Sequence, residues 1–311
     1  MRLVILNTVE DVGLWAANYV KKSILEFNPG PNRFFTLGLP TGSTPLPMYR
    51  NLVRFHKEGE LSFEYVKTFN MDEYVNLPRD HPESYHTYMW QNFFAHINIH
   101  PENAHILDGN ASDLSKECAL FEKAIEDAGG IHLFIGGIGP DGHIAFNEPG
   151  SSLVSRTRVK TLALETIQAN SRFFDNDMTK VPTMALTVGV GTVMDAKEVM
   201  ILITGQHKAF ALHKAIEEGI NHMWTVSAFQ QHRKTLFIVD EDATNELKEL
   251  KRVLSPENSP KYEGNEIKLD EKSFREGLAS NEMASFKLKE GIEKFSADCI
   301  KVENMLKEKL A

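Results

Sequence analysis

The chain has 311 residues, 42% hydrophobic and 25% charged, which suits one large or two small globular domains around a sizeable core. A net charge of −9 argues against a broad nucleic-acid surface, although a few local cations can still hold a small anion. With only Cys118 and Cys299, and no apolar run near the roughly 18 residues that span a bilayer, neither a disulfide or cysteine–zinc framework nor a membrane partner is expected; a reduced, cytoplasmic setting is.

Strand-like and helix-like stretches alternate along the chain. Arg2 to Leu6 reads as a strand, and Val9 to Phe27 as a helix with Val12, Trp15, Ala16, Tyr19 and Val20 on one face, ended by Asn28-Pro29-Gly30-Pro31. Phe34 to Leu39 is the next strand. Pro40-Thr41-Gly42-Ser43-Thr44-Pro45 then makes Thr44 the expected N-cap and Pro45 the first residue of a helix bearing Leu46, Tyr49 and Val53 on one side. Small residues between a strand end and a helix start leave backbone N–H groups free for an anion. Without a Walker lysine they do not imply a nucleoside triphosphate, and a well-capped helix with no ligand accounts for the same residues.

Tyr65 to Asn70 is a third strand, running into Met71-Asp72-Glu73-Tyr74. A carboxylate at the carboxyl end of a strand lies where α/β sheets bind ligands; a solvated turn acid is the alternative. Pro82-Glu83-Ser84 opens an aromatic-rich helix, Tyr85 to Phe94, whose rings suit the core. In the helix Asp113 to Ala128, Leu114, Cys118, Phe121 and Ile125 share a face, so Cys118 reads as a small core hydrophobe.

The apolar strand Ile131 to Ile135 delivers the chain into Gly136-Gly137-Ile138-Gly139-Pro140-Asp141-Gly142-His143-Ile144-Ala145-Phe146-Asn147-Glu148-Pro149-Gly150. Two carboxylates flanking one histidine are the raw material of a tuned acid/base. Gly137-x-Gly139-x-x-Gly142 matches the dinucleotide fingerprint by letter, yet the residues after it carry turn chemistry with no helical stripe. The bland alternative is a glycine-rich loop with incidental charges.

Ser151 to Lys160 gathers hydroxyls with Arg156, Arg158 and Lys160, either as a solvated loop or as a second anion site. Arg172 stands among aromatics. Met184 to Val188 and Val199 to Ile203 are further strands, the latter leading through Thr204-Gly205-Gln206-His207-Lys208 into a helix to about Gly219. Lys208 falls in that helix's first turn, where the dipole disfavours a cation and a bound anion would remove the conflict. Thr235 to Val239 gives the last strand and Asp242 to Lys251 a helix. Eight or so strands separated by helices indicate one open, largely parallel Rossmann-like α/β sheet with helices on both faces. Loops 40–44, 71–74, 136–150 and 204–208 would meet at one edge. Residues 1–254 form the expected domain, followed by a charged linker and helical tail over 255–311. In the tail, Leu288, Ile292, Phe295, Cys299, Val302 and Leu306 form a stripe too short to demand a coiled coil.

Four stretches, Leu39 to Pro45, Phe69 to Tyr74, His81 to Tyr85 and the loop 136–152, together resemble glucosamine-6-phosphate deaminases (isomerising) of the eukaryotic kind, over about residues 1 to 250. The resemblance implies a sugar-phosphate substrate, glucosamine 6-phosphate, converted to fructose 6-phosphate and ammonia. It implies no metal or organic cofactor, and a homo-oligomer, usually a hexamer. It assigns Asp72 as the base at C2, and His143 with Asp141 and Glu148 to ring opening. Thr41, Gly42, Ser43, Thr44, Arg172 and Lys208 are assigned to the phosphate, and Gly137 and Ala145 to the sugar. Ser151, Arg158, Lys160 and Thr161 match the family's site for an activator, N-acetylglucosamine 6-phosphate, while Leu254 stands where the family usually has Tyr. The competing expectations are a 6-phosphogluconolactonase-like hydrolase, which also carries an Asp-Gly-His loop, and a non-catalytic sugar-phosphate sensor.

Overall fold

The apolar runs become the buried strands of a parallel sheet, and the stretches between them its covering helices. A computed structural model describes residues 1–248 and 270–280, together with positions 289, 292, 293, 296 and 300. The chain divides into two units at residue 250.

In the first unit the elements run β1 (Arg2–Leu6), α1 (Val9–Phe27), β2 (Phe35–Leu39), α2 (Leu46–Lys57), β3 (Val66–Asn70), β4 (Asp72–Tyr74), α3 (Tyr85–Asn92), β5 (Ala104–His105) and α4 (Leu114–Asp127). They continue with β6 (Leu133–Gly137), β7 (Arg158–Thr161), α5 (Leu164–Asn170), β8 (Met184–Thr187), α6 (Val190–Met194), β9 (Val199–Ile203), α7 (Ala209–Ile216) and β10 (Thr235–Asp240). Seven strands form one sheet in the order β1-β10-β9-β6-β2-β3-β5, with every pairing parallel. Its central strands are buried on both faces, which is why they read as continuous apolar runs rather than alternations. One core, including Val12, Ala16, Val20, Leu37, Tyr49 and Leu52, packs α1 and α2 on one side. Another, including Phe134, Ile201, Leu212 and Phe237, packs α4, α6 and α7 on the other.

From β2 the chain proceeds outward to β3 and β5, and from β6 it proceeds the opposite way to β9 and β10. The boundary between β2 and β6 is therefore a topological switch point, where the loops leaving the two carboxyl ends diverge and open a crevice. The loops after β2, β3, β6 and β9 all leave that edge, as the strand order requires.

A second, three-stranded antiparallel sheet, β4-β8-β7, adds to this frame. It turns part of the expected basic loop 151–160 into strand: Arg158 and Lys160 lie in β7, opposite Thr187 and Ala185. Arg156 takes no part in an anion site. Its guanidinium bridges Glu122 at 2.7 Å and Asp195 at 2.5 Å.

Two boundaries differ from expectation. Thr44 does not cap α2. The chain remains in a turn through Pro45, which is the cap residue with no side-chain bond, and the face that α2 buries is Met48, Tyr49, Leu52 and Phe55 rather than one centred on Leu46 and Val53. Ser84 does cap α3, accepting from Thr87 N at 3.0 Å. The helix expected from Asp242 begins as a single 3-10 turn, Asp242–Thr244, and residues 249–251 lie outside the described set. Cys118 is buried on α4, as its spacing requires.

No described helix is long and apolar enough to cross a membrane. Of the second unit, helix α8 (Glu271–Ser280) is described, with Arg275 paired to Glu271 at 2.8 Å. Within the stripe of the tail only Ile292 is described, and it is exposed. Leu288, Phe295, Cys299, Val302 and Leu306, like Leu254 and the linker up to residue 269, lie outside the described residues.

Candidate active site

Four strand ends build the crevice. From β2 comes the loop 40–45. Gly42 takes φ +103°, a left-handed conformation that leaves glycine as the unstrained choice. Two phenols fix the backbone around it: Tyr88 donates to the Gly42 carbonyl at 2.6 Å, and buried Tyr49 donates to the Pro40 carbonyl at 2.5 Å. Thr44 faces Lys208, whose Nζ donates to its Oγ1 at 3.3 Å. The hydroxyl of Thr44, not used in capping, faces that ammonium group instead.

Lys208 ends the 3-10 turn Gln206–Lys208 after β9 and is the cap residue of α7. It is half-buried. Burial, and then the nearby Arg172 guanidinium, push its pKa down to about 8 against a weaker pull from Asp240. Asp240 is occupied below, accepting from Gly205 N on both oxygens at 3.0 and 2.9 Å. Arg172 is exposed and stacks on Phe173 at 4.7 Å. Two cations thus lie close enough to repel each other beside a collar of small residues.

Asp72 lies at the other end, two residues past β3, where β4 begins. It is 6% exposed, and burial, then the adjacent Glu73 charge, raise its pKa to about 8. Glu73 is held apart: its two oxygens accept from Tyr74 N at 2.8 Å, Tyr85 N at 3.0 Å and His86 N at 2.9 Å, pinning the start of α3. Burial raises the Glu73 pKa and those three N–H groups oppose it. Adjacent acids thus differ: Glu73 is held by backbone N–H groups, whereas the Asp72 carboxyl makes no side-chain hydrogen bond among the described residues.

The third wall is the loop after β6. Nδ1 of His143 approaches Asp141 Oδ1 at 2.7 Å, close but off the line of a straight hydrogen bond, and His143 N lies 3.4 Å from the same oxygen. Burial raises the Asp141 pKa, but the His143 ring and backbone outweigh it and hold the carboxyl below its usual range. A Cβ on Gly139 would lie 2.5 Å from both Asp141 Oδ1 and His143 Cε1, so this pair occupies the space that a side chain would take. Gly142 takes φ +72° under Trp224 and opens no helix, the next element being the strand β7, which disposes of the dinucleotide fingerprint. Gly137 ends β6, opposite Leu202, and Ala145 takes φ +52°, a conformation alanine adopts only when its surroundings impose it.

Glu148 does not share the histidine with Asp141. Its Oε1 accepts from Ala163 N at 2.8 Å and Thr166 Oγ1 at 2.6 Å. The expected trio is therefore resolved into a pair, Asp141 and His143, and a carboxylate fastened to α5.

Several residues that sequence reasoning misses lock these walls together. Asp72 pairs with Thr187 across β4 and β8, while Thr187 Oγ1 accepts from Phe146 N at 3.1 Å. Asn147 Nδ2 donates to Ile144 O at 2.9 Å and Val188 O at 2.8 Å. Thr225 Oγ1 accepts from Ile144 N at 3.2 Å and donates to Asn147 O at 2.8 Å. Single Thr and Asn residues carry no periodic signal; only a strand reading of DEY and RVKT would hint at them. Of the other expected residues, Ser151 is buried with an unpartnered Oγ, Arg158 is half-buried with Nη1 on the Arg156 carbonyl at 3.1 Å, Lys160 is half-buried, and Thr161 is exposed. No hydrogen bond is found joining these four to one another.

Residues 9–238 match the family model of glucosamine-6-phosphate isomerases/6-phosphogluconolactonase. Over 248 residues, 80% of the chain, it is 74% identical to glucosamine-6-phosphate deaminase 1 of Mus musculus and 73% identical to that of Homo sapiens, covering 86% of each. It is 75% identical to the glucosamine-6-phosphate deaminase of Drosophila pseudoobscura pseudoobscura, covering 90% of it. Among solved structures, a monomeric glucosamine-6-phosphate deaminase superposes with a TM-score of 0.75 at 39% identity, over 79% of this chain and all of that one. The 6-phosphogluconolactonase of Thermotoga maritima superposes with a TM-score of 0.61 at 21% identity, over 77% of this chain and 99% of that one, a likeness of fold. The chain belongs to the glucosamine-6-phosphate isomerase/6-phosphogluconolactonase family.

Proposed function

We infer that this chain is a glucosamine-6-phosphate deaminase, converting glucosamine 6-phosphate and water to fructose 6-phosphate and ammonia. The observation that carries this is the identity of 73–75% with curated deaminases across 248 residues. The site offers complementary chemistry: a cationic corner of Lys208 and Arg172 and, across the same sheet edge, a buried carboxyl at Asp72.

In this proposal the phosphate takes the backbone N–H groups and hydroxyls of Thr41, Gly42, Ser43 and Thr44, with Lys208 as a point charge and Arg172 as a fork. Gly137 and Ala145 border the sugar. The pyranose opens when His143, oriented by Asp141, removes the proton from O1 and returns one to O5, with Glu148 supporting the exchange. Asp72 then takes the C2 proton of the open amino aldehyde to give an enolamine. A proton delivered to C1 yields the C2 imine, to which water adds before ammonia leaves. One water enters and one C–N bond breaks, so the net reaction is a hydrolytic deamination.

Asp72 acts only when ionised. The ammonium form of the substrate amine, next to C2, stabilises the carboxylate, as the phosphate stabilises protonated Lys208. Each end of the substrate thus relieves the electrostatic conflict at its end of the crevice.

We also propose a hexameric, cytoplasmic enzyme responsive to N-acetylglucosamine 6-phosphate through Ser151, Arg158, Lys160 and Thr161. The unpartnered buried Ser151 hydroxyl and the two half-buried cations support that site. The decisive experiment is ammonia release against glucosamine 6-phosphate, with and without the acetylated sugar phosphate. No ammonia would defeat the assignment, and a hyperbolic curve indifferent to the acetylated sugar would defeat the activator site alone. Sedimentation at working concentration tests the hexamer, which a monomer would refute.

A further inference from the structure

Residues 163–173 form a short span, α5 and then the 3-10 turn Ser171–Phe173, that presents much of its surface to solvent. Leu164 is 65% exposed and Phe173 43% exposed. Yet this span carries Arg172, whose charge reaches Lys208 and depresses its pKa. Side chains fasten it to the chemistry at two points. Thr166, 8% exposed, donates its hydroxyl to Glu148 Oε1 at 2.6 Å, beside the Ala163 N–H on the same oxygen. Four residues on, Asn170 Nδ2 donates to the hydroxyl of Tyr74 at 2.9 Å. Tyr74 is buried at 2% exposure and ends β4, the strand that Asp72 begins. Thr166 and Asn170 are separated by one helical turn and so share one face of α5.

We propose that Thr166 and Asn170 are positioning residues: Thr166 holds Glu148 in the orientation that ring opening needs, and Asn170 steadies the strand that bears Asp72. This rests on the deaminase function proposed above. Neither residue touches the substrate in this scheme. Thr166 restricts Glu148 to one orientation, and Asn170 keeps Tyr74 from rotating away from the span. The two ties complement apolar packing between the same parts, where Phe146, Leu162, Phe174, Val181 and Ala185 cluster with Tyr74. Packing is tolerant of small slides, whereas a hydrogen bond to a carboxylate oxygen is directional, so the polar ties set the alignment.

The test is steady-state ammonia release combined with binding of an acyclic 6-phosphorylated aminopolyol, which has no ring to open. Thr166→Val should lose about 10- to 100-fold in kcat with KM changed less than about threefold, since a misaligned group costs turnover rather than affinity. Thr166→Ser, which restores the hydroxyl, should recover most of that loss. The acyclic ligand should bind Thr166→Val as it binds wild type. A residue that merely supported the fold would instead weaken the acyclic ligand and lower the melting temperature together. Wild-type kcat in Thr166→Val, or equal impairment of the Val and Ser variants, overturns the proposal. For the second tie, Asn170→Ala and Tyr74→Phe should be non-additive, the double variant losing no more than the worse single one; additive losses overturn that tie. Ammonia release by wild type separates the two levels: if wild type releases none, the deaminase assignment itself falls.

Discussion

The two ends of the crevice hold opposite groups in the same predicament. Asp72 and Lys208 begin far apart on the pKa scale, at ordinary values of 3.8 and 10.5, and burial brings each to about 8. Each is made worse by a like-charged neighbour, Glu73 in one case and Arg172 in the other. The difference lies in the support. Glu73 has three backbone N–H partners and is locked into the fold, whereas Arg172 stands exposed on a short span. The carboxyl end is preorganised; under the proposed function the cationic end is the one that the substrate phosphate would complete.

Several measurements can break or sharpen that contrast. Asp72→Asn should lower turnover by about 10³-fold while retaining substrate affinity, because it removes a proton acceptor and keeps the shape. Solvent-hydrogen exchange at C2 reads this directly, and exchange at the wild-type rate would remove Asp72 from the base role. Lys208→Met should raise KM by about 10- to 100-fold with a smaller effect on kcat, since a charged hydrogen bond to phosphate contributes to binding throughout. An equal fall in kcat would place Lys208 in the chemistry instead.

The pH dependence is set by the same two groups. Free enzyme needs Asp72 ionised and Lys208 protonated, so kcat/KM should trace a narrow bell centred near pH 8. In the complex the substrate amine lowers the first pKa and the phosphate raises the second, so the kcat bell should be wider. Equal widths would mean that the substrate relieves neither end.

Stability gives opposite signs. The Asp72 pKa is raised on folding, so its penalty is absent below pH 4, grows from pH 4 to 8 and is full above. The Lys208 pKa is lowered, so its penalty is full below pH 8 and fades toward pH 10.5. Asp72→Asn should therefore raise the melting temperature most above pH 8, and Lys208→Met most below it. Coincident profiles would contradict the contrast. The smallest effect belongs to Gly139→Ala, expected to destabilise by about 1–3 kcal/mol, read by urea unfolding, as the Asp141–His143 pair shifts to admit a methyl group.

Much of this arrangement is legible in the sequence because its strongest signals are the long ones. Doubly buried strands such as Val199–Ile203 read as unbroken apolar runs, and their alternation with helices implies a parallel sheet whose carboxyl-end loops converge. The short antiparallel sheet is illegible for the converse reason. DEY and RVKT are three and four residues long, polar, and paired across more than twenty intervening residues. Thr44 reads as a cap because Ser or Thr before a proline-led helix fits that pattern; its hydroxyl instead faces an ammonium group 164 residues away in sequence. Glu148 looks like a second partner of His143 by proximity along the chain. Only the fold brings Thr166 to it.

The parallel pairing of β1 with β10 has a consequence for how this chain acquires its shape. Within the seven-stranded sheet, the strand earliest in sequence joins through the one latest in sequence. Until residue 240 has emerged, Arg2 to Leu6 has no neighbour in that sheet, while β2, β3 and β6 can already pair. Closure of that edge is a late, long-range event on the slow side of folding, where loop entropy must be overcome before contacts reward it. β1 is suited to the wait: it is five residues long, opens with Arg2 and buries none of its side chains fully, so it offers little for another chain to grasp during synthesis.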